Sequence, residues 1–329
     1  MGDAAQCRQD FPESDESTRT GNITQMKGAT MSTKFAALFM ILAVASTAPA
    51  QTTLRYKYAK GDSNTYELTQ NMKMAQNVGG NNIGTTMKQT MVMTTTVQEI
   101  LPNGNAKVET KFDHVRMEMD MPGLGNVVLD SKDENPGAGN PIGAVMGGMI
   151  KTLAKVQFVA TMTPLGETVD FKMPKELIDE FKAMPGGAQM GDMFSEQGIK
   201  NMMGASGLVL PKNPINKGEG WNQKVSTKMP MGKMDADMKY TFQGSDTSAG
   251  KSLEKFGFVP NVKIAADENA AVNIQLDSQK GEGTVLFDNA AGRVVEFNLN
   301  QVMEMTITVQ NMNITSTIDQ KTSMKLKTK

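Results

Sequence analysis

Alternating apolar and polar positions dominate the chain and predict β-strands along most of its length. The alternation runs through residues 54–58 and 66–76, and then through two longer segments, 85–101 and 106–121. A Pro-Asn-Gly-Asn turn at residues 102–105 separates the two longer segments. Two long alternating segments about a short Asn-Gly turn are typical of an antiparallel hairpin.

The pattern changes in the middle of the chain. Over residues 144–156 the apolar positions recur at helical spacing: Val145, Met146, Met149, Ile150 and Leu153. Residues 156–170 return to strand alternation, with a turn at 164–166. Two further helices are predicted over 175–184, behind Pro174 at the first helical position, and over 191–204.

Strand patterns return after Trp221 and continue to the end of the chain, over residues 225–231, 234–242, 256–266, 271–280, 283–287, 294–309 and 312–327. Strands, then helices, then strands indicate an α+β fold with an antiparallel sheet. Long strands favour a curled sheet over a flat one. We therefore predict one β-rich domain over 51–329, a large curved, half-barrel-like sheet, with a helical insert at about 141–204. A few central helices are expected on its concave face.

The beginning of the chain has the pattern of a secretory signal peptide. Residues 35–46 form an uncharged, mostly apolar run that follows Lys27 and Lys34, and Ala48-Pro49-Ala50 supplies the small residues that a signal peptidase needs. The run is too short for a helix that spans a membrane, which takes about 20 residues. We predict a signal peptide over 31–50, cleaved between Ala50 and Gln51. An uncleaved anchor or a buried helix is the alternative.

Residues 1–30 are predicted to be a disordered extension or the product of a mis-assigned start, since 1–25 are polar and have no apolar period. Translation would then begin at Met26 or Met31. The mature protein is expected to be exported, to the periplasm or the extracellular space. Its lack of a second long apolar run predicts no transmembrane span.

Charge excludes some classes of partner. Residues 1–50 hold four basic and five acidic residues, which leaves 30 of the 34 basic and 30 of the 35 acidic residues in the mature part. A neutral chain lacks the positive face that nucleic acid requires and the basic cluster typical of proteins bound to acidic membranes. The single cysteine, Cys7, lies in the leader, so the mature chain has no disulfide.

Several motifs resemble an uncharacterised family of exported bacterial proteins, a domain of unknown function. They are residues 54–62 (LRYKYAKGD), 217–221 (KGEGW), 281–288 (GEGTVLFD) and 292–295 (GRVV). The layout is also similar to periplasmic lipoprotein carriers of the LolA/LolB type, in which helices plug a concave apolar sheet. Neither resemblance implies a catalytic residue, and fold alone does not determine function.

Candidate catalytic and metal-binding residues are few. His114 is the only histidine, and its neighbour Asp113 would face the opposite side of a strand. Asp130, Asp133 and Glu134 lack the spacing of a calcium loop and are interpreted as a solvated loop. Residues 143–148 are Gly-rich but lack the lysine of a phosphate-binding loop. We predict no catalytic site, no metal site and no cofactor.

Methionine is the unusual feature, with 29 in the chain and 25 after residue 50. Met-x-Met spacing on a strand places both side chains on one face. The candidate ligand face comprises Met72, Met74, Met91, Met93, Met117, Met119, Met303 and Met305. Three interpretations stay open: ordinary core packing, an adaptable apolar binding face, or a Cu(I) site that would use Met117, Met119 and Met121.

These patterns lead to one main functional hypothesis. The protein is expected to be non-enzymatic and to bind an apolar small molecule or lipid on a methionine-lined concave face. A structural or protein-interaction module without a ligand is the first alternative, and Cu(I) binding is the second.

Overall fold

The computed structural model describes residues 51–123, 125–139, 141–172, 174–175, 178–179, 207–229, 232–247, 250–266, 272–309 and 312–327. These residues form one helix and twelve strands. The strands are β1 (Ser63–Val78), β2 (Asn81–Ile100), β3 (Ala106–Met121), β4 (Gly125–Asp130), β5 (Gln157–Met162), β6 (Thr168–Lys172), β7 (Gly220–Met229), β8 (Gly232–Asp246), β9 (Leu253–Ala266), β10 (Val272–Asp288), β11 (Arg293–Val309) and β12 (Met312–Leu326). The helix, α1 (Pro141–Lys155), lies between β4 and β5.

All twelve strands belong to one antiparallel sheet, which confirms the predicted sheet. The order is β6-β5-β3-β2-β1-β12-β11-β10-β9-β8-β7, and β4 pairs with β3 beside β5. The first and last strands pair at the centre of the sheet, from Tyr66 opposite Leu326 to Val78 opposite Ile314. Among the described strands, β6 and β7 each pair with a single neighbour, so the sheet is open.

A segment before β7 shows that the sheet is strongly curled. Val209 N–H donates to Gln223 Oε1 in β7 (3.0 Å), and Trp221 Nε1 donates to Val209 O (2.7 Å). The next residue, Leu210, donates its N–H to Leu165 O in the turn between β5 and β6 (2.8 Å). In a flat sheet about ten strand spacings of ~4.8 Å would separate these two edges. Because adjacent residues contact both, the edges must approach each other here. We call this the closed end.

The segment before β1 also lies across the closed end, and here the sequence prediction was wrong. Residues 54–58 were expected to form a strand, but they join no ladder. Instead Tyr56 N–H donates to Pro164 O (2.8 Å) and Lys57 N–H donates to Gly292 O (3.2 Å). Alternation indicates only that a segment is extended and buries one side. An extended segment of this kind can lie across a sheet without pairing with one of its strands.

The closed end contains the largest apolar cluster among the described residues. Its fully enclosed members come from β8 to β11 and from both covering segments: Leu54, Leu208, Leu210, Ile215, Tyr240, Phe242, Phe256, Phe258, Val285, Phe287 and Val294. Aromatic rings contact one another across strands, for example Tyr240 with Phe258 at 5.2 Å between centroids. These contacts define which face of the sheet is the inside of the curl, and we call it the inner face.

Helix α1 packs on β3 and β4, with Ile150 against Val115, Met119 and Leu129. The prediction of a few central helices is confirmed only for this one. The predicted helices over 175–184 and 191–204 lie almost entirely outside the described residues, as do residues 1–50 with their predicted leader. Within the described ranges no helix is both long and apolar enough to cross a membrane.

Candidate functional site

The strand register assigns each side chain to a face, because residues paired across antiparallel strands point to the same side. Met119 pairs with Met87, which in turn pairs with Met72. Val115, two residues before Met119, is on the same face and packs against α1. The register places all eight candidate ligand-face methionines on the inner face: Met72, Met74, Met91, Met93, Met117, Met119, Met303 and Met305.

The inner face is free of charge over its central strands. In the described residues of β1, β2 and β12 and in residues 297–309 of β11, no charged side chain alternates onto this face. At the closed end, Arg293 Nη1 donates to Oδ1 of the inward Asn64 at 2.7 Å. The opposite, outer face carries the charges of the same strands, among them Lys73, Lys88, Glu304, Asp319 and Lys321. A charge-free surface this wide is unsuited to ionic ligands, whose charge would lose its hydration without a partner.

Helix α1 divides the methionines into two groups. Five methionines of β2 and β3 form one apolar cluster with the helix: Met87, Met91, Met117, Met119 and Met121. By contrast, Met72, Met74, Met93 and Met303 are half-buried and belong to none of the three apolar clusters in the described part of the chain, and Met305 is buried outside those clusters. Packing against α1 accounts for the first group, including the three residues considered for Cu(I). The second group needs another explanation.

Polar side chains interrupt the inner face on either side of Met303. Gln301 lies between Leu299 and Met303 on β11, and Ser316 lies between Ile314 and Ile318 on β12. They are 8% and 3% exposed, and neither Gln301 Nε2 nor Ser316 Oγ has a hydrogen-bond partner among the described residues. Leaving such a group unpaired costs about 1–3 kcal/mol. Sequence reasoning missed both residues, although a polar residue at an inward position of an alternating strand was the available signal.

Two open grooves lie beside the methionines and at the closed end; the first borders Met303 and Met305, which pair with Gln279 and Leu276. One, of about 560 Å³, is lined by residues 261–264 of β9 and 273–279 of β10. The other, of about 700 Å³, lies between residues 209–215 and the start of β7, next to Glu167. Neither groove is lined by a methionine, so the methionine face is part of neither groove.

His114 has a hydrogen-bonding partner that the sequence did not reveal. Its Nε2 lies 2.8 Å from Asp130 Oδ1, and Arg116 Nη1 donates to Asp130 Oδ2 at 3.1 Å. Asp130 was predicted to lie in a solvated loop, but it ends β4 and is buried because β4 pairs with β3 at Arg116. Asp113 bonds instead to Thr94 Oγ1 (2.5 Å).

Hydrogen bonds decide the ionisation of this cluster. Burial raises the pKa of Asp130, but hydrogen bonds from the Lys132 backbone N–H, His114 and Arg116 outweigh it and leave the pKa below its usual value. The carboxylate therefore stays charged and paired. The cluster is on the outer face, since His114 and Arg116 alternate with the inward Val115. In the described ranges no three His, Cys, Asp or Glu residues are placed to hold a metal ion.

Comparison with solved structures finds matches at very low identity and low TM-score. Lipovitellin, from a structure concerned with lipid–protein interactions, is 10% identical with a TM-score of 0.45, and the match covers 83% of this chain. This chain spans only 26% of that lipovitellin chain. A Bacteroides fragilis protein with a YmcC-like fold, proposed to be exported, is 11% identical (TM-score 0.27; 84% of this chain and 100% of that one).

A domain proposed to belong to an outer membrane lipoprotein-sorting protein of Vibrio parahaemolyticus is 9% identical (TM-score 0.15; 80% and 86% covered). At these scores the neighbours do not indicate a function, and the likeness to lipoprotein carriers stays a prediction. No curated protein matches the chain. Residues 103–251 match a family of unknown function, DUF6263, which confirms the predicted resemblance to an uncharacterised family.

Proposed function

We propose that this chain is an exported, non-enzymatic protein that binds an apolar ligand, such as a lipid or an acyl chain, on the uncovered part of its inner face. One observation carries the proposal. Met72, Met74 and Met303 form a half-buried, charge-free surface on the inside of a curled sheet, outside the area that α1 covers. Methionine side chains are flexible and polarisable, which suits them to ligands of variable shape.

The free energy available from such a surface is sufficient for binding. Each buried CH₂ group contributes about 0.8 kcal/mol, so a chain of about ten carbons would gain roughly 8 kcal/mol. The lower estimates for the cost of immobilising a ligand are about 4 kcal/mol. A chain of this length or longer would therefore bind with measurable affinity, whereas a ligand of two or three carbons would not.

Export and the absence of catalysis belong to the same proposal. The apolar leader over residues 31–50 supports export. The His114–Asp130 pair lies on the outer face, away from the methionines, and Asp130 also accepts a hydrogen bond from Arg116. An enzyme acting on a ligand of the inner face would need polar groups that converge there, and the only histidine faces the other way.

Two neighbouring residues of β11 provide a matched test. Met303 faces inward and Val302 faces outward, where it pairs with Asp319 and Lys280. We expect Met303→Lys to weaken binding of an apolar fluorescent probe at least tenfold, because the ammonium group enters a face without a countercharge. Val302→Lys places the same charge among charged residues, so probe binding should be unchanged.

The result separates the main proposal from its first alternative. If the unmodified protein binds no probe and carries no lipid after purification, the methionines are packing residues of a structural or interaction module. Equal probe binding by the two lysine variants would also contradict the proposed site. A Cu(I) site at Met117, Met119 and Met121 would instead show reduced-copper binding that is lost in the double variant Met117→Leu with Met119→Leu.

A further inference from the structure

Gln301 is the feature of the inner face that apolar binding alone does not explain. Its amide Nε2 is buried and has no hydrogen-bond partner in the described structure. Buried side-chain amides almost always have a partner, so each exception requires a reason. A leucine or methionine at this position would fit the surrounding face without that cost.

The side chain of Gln301 is held in place by its neighbours. On β10 the opposite residue is Gly281, and a Cβ atom there would lie only 3.3 Å from Gln301 Cγ and 2.7 Å from Pro260 Cγ. The glutamine therefore packs over a glycine, in a space that any larger residue at 281 would fill. The missing side chain at 281 thus leaves room for the Gln301 side chain on the inner face, next to Pro260.

The other cross-strand neighbour, Gln320 of β12, differs in one respect. Its Nε2 donates to Thr322 Oγ1 at 3.2 Å, so this amide already has a partner within its own strand. Gln301 and Gln320 are thus two glutamines side by side on the same face, of which one is paired and the other is not. This makes Gln320 a matched control.

The position of Gln301 indicates the kind of ligand that would pair with it. Toward the closed end lie Leu299 and the aromatic cluster, and toward the other end lie Met303 and Ile318. An apolar chain along the methionines would bring one polar atom to the amide. That atom must be an acceptor, since Nε2 donates, and it must be neutral, since the strands around it carry no inward charge.

We propose that the inner face binds neutral acyl esters or amides, with Gln301 Nε2 donating to the carbonyl oxygen while the acyl chain lies on Met303 and Ile318. This inference rests on the proposed function and names its ligand class. Ser316 Oγ is a second unpaired donor, four residues along β12 from the position opposite Gln301, which is about 13 Å. It marks a second point where a carbonyl or hydroxyl of a longer ligand can bind.

Three probes with the same chain length test the ligand class: monopalmitin (a neutral ester), palmitate (a charged acid) and hexadecane delivered from cyclodextrin (no polar atom). We expect the unmodified protein to bind monopalmitin most tightly. Gln301→Met should weaken monopalmitin about tenfold, which equals about 1.4 kcal/mol, and leave hexadecane unchanged. Gln320→Met should leave both affinities unchanged. Gln301→Leu should give the same result as Gln301→Met, and it replaces Gln301→Met if that first variant folds poorly.

A second measurement distinguishes a ligand-binding glutamine from a structural one. Without ligand, Gln301→Met should raise the midpoint of urea denaturation, because it removes an unpaired buried amide. A fall in the midpoint would mean that the amide stabilises the fold and would overturn the inference.

The binding outcomes separate the two proposals. If neither hexadecane nor monopalmitin binds, the proposed function fails and the inference with it. If hexadecane binds but monopalmitin is no tighter, or palmitate is the tightest, or Gln301→Met weakens the ester and the alkane equally, the inference fails while apolar binding stands.

Discussion

Gly283 should be one of the positions least tolerant of substitution at the closed end. It lies on the inner face of β10 opposite Phe258, and its missing side chain leaves space for the Phe258 ring. A Cβ atom at Gly283 would lie 2.6 Å from Asn298 O and closer still to Cζ and Cε1 of Phe258. The ring cannot easily retreat, because it contacts Phe297 and Tyr240 at centroid distances of 5.2 Å.

The expected magnitude follows from two opposing effects. Gly→Ala stabilises by about 0.4–1 kcal/mol when the native backbone accepts it, through the unfolded chain. Forcing an extra carbon into a packed core costs about 1–3 kcal/mol. We therefore expect Gly283→Ala to lower the free energy of unfolding by about 1–2 kcal/mol, measured by urea denaturation followed by tryptophan fluorescence from Trp221.

Gly84 supplies the control. It also lies within a strand, and a Cβ atom there would have nothing within 4 Å. Gly84→Ala should be neutral or slightly stabilising. Adding Phe258→Leu to Gly283→Ala should recover part of the loss, since the smaller side chain makes room for the methyl group. If Gly283→Ala lowers the free energy of unfolding no more than Gly84→Ala does, then the Phe258 ring does not pack tightly against Gly283. The packing described for the closed end would then be wrong.

Two further predictions concern ionisation and the sheet itself. Burial raises the pKa of all four tyrosines, to about 12 for Tyr66. Because the folded protein keeps these side chains neutral, their contribution to stability is fully present below pH ~10. It is lost as the pH rises through the folded-state pKa values. Ultraviolet titration should show no tyrosinate near pH 10 in the folded protein but about half ionisation in urea, and a step near pH 10 in the folded protein would contradict the burial. Gln279 joins β10 to β9 beyond the end of their ladder, since its amide donates to Val262 O and accepts from Val262 N–H, both at 2.7 Å. Gln279→Leu should destabilise by about 1–3 kcal/mol and speed hydrogen exchange at Val262, whereas the exposed Gln275→Leu should do neither; equal effects would mean that the bridge is unimportant.

The sequence predicted most strands but not all of their boundaries. Alternation located the hairpin of β2 and β3 and the long C-terminal strands, because a half-buried strand must alternate wherever it lies in the sheet. The two segments expected at 271–280 and 283–287 form the single strand β10, with a register shift between Leu276 and Ser278. Strand β4 was missed, since six residues between turns give too short a pattern.

The sequence likewise predicted only part of the candidate site. Met-x-Met spacing correctly indicated that the methionines share a face, since side-chain direction along a strand is a local property. Which of them α1 covers depends on the docking of a helix, and no spacing along the chain encodes that. The same holds for His114, whose partner Asp130 is brought to it by the pairing of β4 with β3.

By itself, the amino-acid sequence determined the strand-rich architecture and the separation of methionine from charge on opposite faces. Each follows from local periodicity or composition. The tertiary structure alone decided that residues 51–62 and 207–215 close one end of the sheet and that Met72, Met74 and Met303 lie outside the area that α1 covers. It also decided that the Gln301 amide nitrogen has no partner among the described residues. These features arise from contacts between segments far apart in the chain, where the free energy of packing selects one arrangement among many that local patterns allow.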